Sequence, residues 1–155
     1  VPGAIVSDRR FRFPVTVEQL WSQLGRVGEY PTWWPWLRSF DGRRLGPGES
    51  WRCSVQPPLP YAVRFRLTID HVEPEREVVA HVDGDVSGTA RIRLRALDHG
   101  CELHLSSALA PDRGALRAMA ALARPLVRFG HDWVLDAGAR QFATSLGVGA
   151  TPVTR

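Results

Sequence analysis

The chain has 155 residues, 44% of them hydrophobic, with 20 basic and 16 acidic side chains, a formal charge of +4 and a pI near 10. That length suits one domain around one core, and no run approaches the roughly 20 apolar residues that cross a bilayer. Every basic residue is Arg, which excludes a lysine nucleophile or Schiff base.

The high pI raises nucleic acid as a partner, but the arginines are spread singly among the acids, as on a solvated sheet face. No nucleic-acid partner is expected. The start, Val1 to Phe13, alternates apolar and charged residues and lacks the apolar core of a secretory signal. The chain does not begin with Met, so a short preceding segment is expected. Cys53 and Cys101 sit at inward strand positions and read as buried free thiols, which favours a cytoplasmic location.

In chain order, Ile5 to Phe13 reads as a strand with Phe11 and Phe13 on one face and Arg10 and Arg12 on the other. Pro14 ends it. Thr16 and Gln19 have capping-box spacing before a helix carrying Val17, Leu20, Trp21 and Leu24 on one face, closed by Gly25 and Gly28. In the segment Tyr30-Pro31-Thr32-Trp33-Trp34-Pro35-Trp36-Leu37, two prolines allow only a helical turn beginning at Pro31. Its tryptophans have two readings, a plug at the end of the core or an aromatic wall at a pocket mouth.

Strands follow, separated by turns. Arg38 to Leu45 leads to Gly46-Pro47-Gly48, and Glu49 to Gln56 places Trp51, Cys53 and Val55 on one face before Pro57-Pro58. Tyr61 to Val72 alternates Tyr61, Val63, Phe65, Leu67 and Ile69 against Arg64, Arg66, Thr68 and Asp70. Glu77 to Asp83 and Val86 to Leu97 come next, the latter with Ala90, Ile92 and Leu94 inward. Asp98-His99-Gly100 is a hairpin turn, and Cys101, Leu103, Leu105 and Ser107 are the inward set of the last strand. Short turns between successive strands predict an antiparallel meander.

Asp112 can cap a final helix running to about Leu146. Leu116, Met119, Ala120, Ala123, Leu126, Val127, Gly130, Trp133, Val134 and Ala137 share its apolar arc. Asp132 can pair with Arg128, and Asp136 with Arg140. Pro125 must bend or split the helix. Residues 147–155 read as a flexible tail, and no repeat, linker or second domain interrupts residues 1–155.

The order strand, two short helices, strands and long helix resembles the helix-grip fold of the START and polyketide-cyclase-like (SRPBCC) superfamily, which includes the major pollen allergens. The likeness covers nearly the whole chain. Phe13-Pro14-Val15 through Leu20-Trp21 is similar to the family's opening. The Tyr30 to Trp36 segment matches its YPxWWPW pattern. Leu59-Pro60-Tyr61 with Arg64-Phe65, Gly84 to Gly88, Arg124-Pro125 and His131 to Val134 resemble a bacterial polyketide cyclase/dehydrase-type branch. The chain departs from that branch at Ala90, Ile92 and Gly130, where Gly, Trp and Asn are common. The resemblance implies an α+β helix-grip fold, a curved seven-stranded antiparallel sheet wrapped around a long C-terminal helix with two short helices after the first strand. It also implies a hydrophobic small-molecule ligand, lipid or polyketide-like.

A long helix over a curved sheet leaves a gap, and function is expected there. The expected walls are Trp36, Trp51, Val55, Tyr61, Phe65, Leu103, Ser107, Met119, Val127, His131 and Val134. Tyr61 and Ser107 can orient a ligand by hydrogen bonds or be core hydroxyls bonded within the protein. His131 is the sharpest acid/base candidate; the other reading is a structural histidine. A cyclase or dehydratase would use Tyr61 and His131 as catalytic proton donor and acceptor. Asp132, one residue on, points about 100° away and does not suit a dyad with His131.

No paired spacing of His or Cys suggests a metal, no Gly-rich loop leads into a helix, and no cofactor is expected. A third reading is an interaction module in which Arg64, Arg66, Arg91, Arg93 and Arg95 meet an anionic membrane or a carrier protein. The oligomeric state is not legible.

Overall fold

A computed structural model describes residues 4–112 and 124–153. Strand β1, Ile5–Phe13, buries Ile5, Ser7, Phe11 and Phe13 and exposes Val6, Asp8 and Arg12, the period-two pattern of a sheet with one covered face. Helix α1, Val17–Leu24, starts from a reciprocal capping box. Thr16 Oγ1 accepts from the Gln19 N–H at 3.1 Å, and Gln19 Oε1 accepts from the Thr16 N–H at 2.9 Å. Leu20 and Leu24, one turn apart, are its buried residues. A 3-10 turn, Val27–Glu29, leads into the single turn of α2, Tyr30–Trp33.

The meander comprises β2 (Leu37–Phe40), β3 (Ser50–Val55), β4 (Val63–Glu73), β5 (Glu77–Gly84), β6 (Val86–Leu97) and β7 (Gly100–Pro111). Two strands are shorter than the alternation suggests, each because a side chain takes over backbone pairing. Asp41 Oδ1 accepts the Arg52 N–H at 2.7 Å, which ends β2 at Phe40 rather than Leu45. Gln56 Nε2 donates to the carbonyls of Leu59 (2.6 Å) and Tyr61 (2.7 Å), holding 57–61 as a loop, so β4 begins at Val63 rather than Tyr61.

Helix α3, Arg124–Ser145, is the long C-terminal helix, with Pro125 in its first turn. The expected helix start after Asp112, with Leu116, Met119, Ala120 and Ala123 and the effect of Pro125 on the turns before it, lies outside the described residues. Among the described residues no helix is long and apolar enough to cross a membrane. Thr151–Pro152, within the segment read from the sequence as a flexible tail, form β8 beside Arg12 and Phe11 of β1.

The eight strands make one sheet in the order β2-β3-β4-β5-β6-β7-β1-β8, with every neighbouring pair antiparallel. This is the curved helix-grip sheet. Irregularities between Leu37 and Ser39 and between Ile69 and His71 break the register, as bulges do where strands bend. Gly88, at φ 149°, lies against β7 so closely that a Cβ there would collide with the Ala108 carbonyl.

The interior is not uniform. Phe13, Leu20, Leu24, Cys101, Leu103, Phe142 and Ala143 pack together beneath the C-terminal half of α3. Val27, Tyr30, Trp51, Cys53, Ile69 and Ala80 form a second cluster under α2. At the other end of the sheet the buried set shrinks to Ile5 and Val127, with Tyr61, Val63 and Val86 partly buried around them. Among the described residues, α3 is packed solid at its C-terminal end and more sparsely around Val127.

Candidate functional site

The sparse end holds a partly open cavity of about 180 Å³. Its sheet wall comes from strand ends: Ile5 of β1, Val55 of β3, Val63 and Phe65 of β4, Val86 of β6, and Leu109 with Pro111 of β7. Pro57 and Tyr61 close it from the loop that Gln56 holds. The helix wall is Val127, Gly130, His131, Val134 and Leu135, with the i, i+3, i+4 spacing that puts side chains on one face.

Among the described residues, two polar side chains enter this lining. His131 Nδ1 lies 3.2 Å from Ser7 Oγ of β1, a hydrogen bond tying α3 to the sheet. Ser7 is 3% exposed. Burial lowers the His131 pKa from its ordinary value; the Asp132 carboxylate opposes that, while Arg128 and Arg9 reinforce it. Asp132 Oδ1 is 3.8 Å from His131 Nδ1, too long for a hydrogen bond, so the pair attracts only through space. Among the described residues Nε2 has no hydrogen-bond partner. In either tautomer it keeps one bonding function, donor if Ser7 donates to Nδ1, acceptor if Nδ1–H donates to Ser7.

Tyr61 stands beside Gly130, where a Cβ would collide with its hydroxyl. The glycine makes room for the phenol. Burial raises the Tyr61 pKa, so the group is a neutral hydroxyl at neutral pH, and no described residue hydrogen-bonds it. Gly130 and His131 are adjacent, so both polar handles enter at one level of the helix.

Around the cavity's rim, Arg9 of β1 reaches Asp136 at 2.6 Å and Asp132 at 3.3 Å, and Arg128 approaches Asp132 at 3.5 Å. Asp136 therefore turns to the sheet rather than to Arg140, as the helix spacing alone had suggested. All four side chains are partly exposed, so each pair adds at most about 1 kcal/mol.

Of the expected wall residues, Val55, Tyr61, Phe65, Val127, His131 and Val134 line the cavity. Trp36 lies farther along α3, its indole donating to Gln141 Oε1 at 2.7 Å and stacked on Trp34. Trp51 is buried against Tyr30 and Phe40 and donates to the Arg44 carbonyl. Leu103 belongs to the packed cluster with Phe13 and Phe142. Ser107 sits opposite Ser7 across β1 and β7, two residues along from Ile5 and Leu109, with its Oγ buried and unpartnered among the described residues. Met119 lies outside the described residues. The Trp33, Trp34 and Trp36 rings pack beside Phe142 and the last turns of α3.

Ser7, Pro57 and Leu135 were not singled out by sequence. Ser7 carried a signal, a small hydroxyl in phase with Ile5 and Phe11, and Leu135 follows His131 by one helical turn. The strand-end residues carried none, because only the register gathers them.

The remaining chemistry is sparse. Cys53 and Cys101 are free and buried, and burial pushes their thiols up to about 12 and about 11, so neither is a thiolate nucleophile. Among the described residues no group of three His, Cys, Asp or Glu could hold a metal ion. On the sheet's outer face Arg91 and Arg93 converge on Glu77, whose carboxyl the Arg93 hydrogen bond holds below its usual range. Arg95 and Arg10 flank the buried Glu102.

The same architecture recurs in solved structures. A START superfamily protein from Mycobacterium smegmatis superimposes with a TM-score of 0.71 at 12% identity, over 94% of this chain and 98% of that one. A conserved protein from Geobacillus kaustophilus gives 0.70 at 13% identity, over 97% and 100%. Norcoclaurine synthase from Thalictrum flavum, solved in complex with dopamine and hydroxybenzaldehyde, gives 0.66 at 13% identity, over 93% and 88%. At such identities the likeness shows the fold alone. A search of curated proteins gives no match. The family described as "Polyketide cyclase / dehydrase and lipid transport" matches residues 5–147, nearly the whole chain, and the protein belongs to that family.

Proposed function

We propose that this protein binds a hydrophobic small molecule in the cavity between the start of α3 and the strand ends of the sheet. The observation that carries this reading is the cavity itself, a space of about 180 Å³ whose described lining is almost wholly apolar, beside a tightly packed cluster. Unfilled apolar space forfeits dispersion contacts, and an apolar ligand restores them while leaving water, at roughly 25 cal/mol per Å² of buried surface. The family's description, which includes lipid transport, accords with this.

The test is native mass spectrometry of protein purified without organic solvent or detergent, beside a Val134→Phe variant that fills the space. A bound mass in the first sample and its loss in the second is the expected result. Finding no bound mass, and no rise in melting temperature with a panel of apolar molecules, contradicts the proposal.

A second reading, catalysis by Tyr61 and His131, draws on one observation: both side chains line the cavity and offer atoms without described partners. A neutral imidazole anchored through Ser7 is suited to take or give a proton. Turnover of a candidate polyketide lost in both Tyr61→Phe and His131→Gln, with binding retained, would favour it.

A further inference from the structure

Resting on the binding reading above, we infer that the ligand is a neutral single-ring molecule, or an apolar molecule of similar bulk, carrying one hydroxyl or carbonyl group. Size is the first argument. An apolar cavity of about 150 Å³ takes benzene. The 180 Å³ here therefore admits one ring with one or two further heavy atoms. A long acyl chain or a fused three-ring system carries more than twice benzene's carbon and is too large to be housed wholly between Val127, Val134 and Phe65. Those walls are held. Val127 is 6% exposed against Ile5, and Ser7 ties His131 to β1 at 3.2 Å.

Polarity is the second argument. Among the described residues the lining has two hydrogen-bonding side chains, Tyr61 and His131, and both enter at the Gly130–His131 level of α3. A ligand satisfied on both sides is apolar over most of its surface and polar at one end. Charge is the third. Among the described residues no arginine, aspartate or glutamate lines the cavity; Arg9 and Arg128 are engaged with Asp132 and Asp136 at its edge. An ionised carboxylate or amine would be buried without a counter-ion, which is strongly unfavourable. The polar end is therefore a neutral phenol, alcohol, ketone or aldehyde.

The experiment is titration calorimetry with four probes: p-cresol, toluene, 2-hydroxyanthracene and oleate. The expected result is binding of p-cresol with a Kd on the order of 10 μM to 1 mM, the range that so few heavy atoms support. Toluene is expected to bind about three- to tenfold more weakly, the loss of one neutral hydrogen bond. The larger two are expected not to bind. In Tyr61→Phe or His131→Leu the preference for p-cresol over toluene collapses, while toluene binding persists and reports that the variant is folded.

Equal affinity for p-cresol and toluene in the unaltered protein overturns the polar-end assignment. Tight binding of 2-hydroxyanthracene or oleate, lost in Val134→Phe, overturns the size class but leaves the cavity as the binding site. Failure of all four probes to bind overturns this inference together with the reading on which it rests.

Discussion

At the scale of single residues, the cavity's chemistry turns on how burial treats His131. Desolvation lowers its folded pKa from the ordinary 6.5, with the Asp132 carboxylate opposing and the Arg128 and Arg9 guanidiniums assisting. Between the folded and unfolded midpoints the unfolded chain holds the proton more tightly. The contribution of His131 to stability is therefore complete above about pH 6.5 and is lost as the pH falls through the folded midpoint. An imidazole titration followed by NMR should place the His131 midpoint below 6.5, and His131→Gln should flatten the acid side of the stability profile. A midpoint above 6.5 would contradict the burial argument. Ser7→Ala removes the anchor of the same ring and is expected to cost about 1 kcal/mol in urea unfolding, since a neutral hydrogen bond is lost and Nδ1 is left in a buried setting.

At the scale of elements, α3 does two jobs with its two halves. Its C-terminal half is structural: Phe142, 3% exposed, meets Phe13 edge-on at 5.7 Å and packs beside Trp33. Truncation by Phe142→Ala is expected to cost about 3–5 kcal/mol, read from denaturant unfolding, because the surrounding rings cannot collapse into the space. The N-terminal half, from Val127 to Leu135, faces the cavity instead, and its substitutions should change ligand binding more than stability. Gly88 belongs to the structural set. Its φ of 149° and the nearby Ala108 carbonyl leave no room for a side chain, so Gly88→Ala should destabilise the β6–β7 pair by about 1–3 kcal/mol. Much of this was legible in the sequence. The alternation of β4 and β6 gave those strands nearly their full length, that of β7 reached from Cys101 to Ser107 of Gly100–Pro111, and Thr16 with Gln19 marked the start of α1. The shortened β2 was not legible, because it depends on Asp41 reaching Arg52 across a loop, and β8 was not, because two residues, Thr151 and Pro152, are too short a run to carry a periodic signal.

At the scale of the whole molecule, the sheet order brings β1 beside β7, so that Ile5 and Leu109 meet at one end while Phe13 and Cys101 meet at the other. The tryptophans fill the second end. Trp34 donates to the Gly138 carbonyl at 3.0 Å and Trp36 to Gln141, fixing the late turns of α3 against the sheet. The first end keeps its gap. This division explains which sequence-based wall residues gathered at the cavity. Val55, Tyr61, Phe65 and Val134 lie toward the open end; Trp51 and Leu103 share an inward face with them but sit nearer the plug. Facing is written in the alternation, while position along the sheet is written only in the register.

The most direct measurement is a methyl NMR titration of the protein with p-cresol, observing valine, leucine and isoleucine side chains. The account expects the methyls of Ile5, Val55, Val127, Val134 and Leu135 to shift together with a single affinity, while those of Leu20, Leu24 and Val27 in the packed clusters stay in place. Shifts confined to the outer sheet face, or no shift at any cavity methyl at millimolar probe, would contradict it.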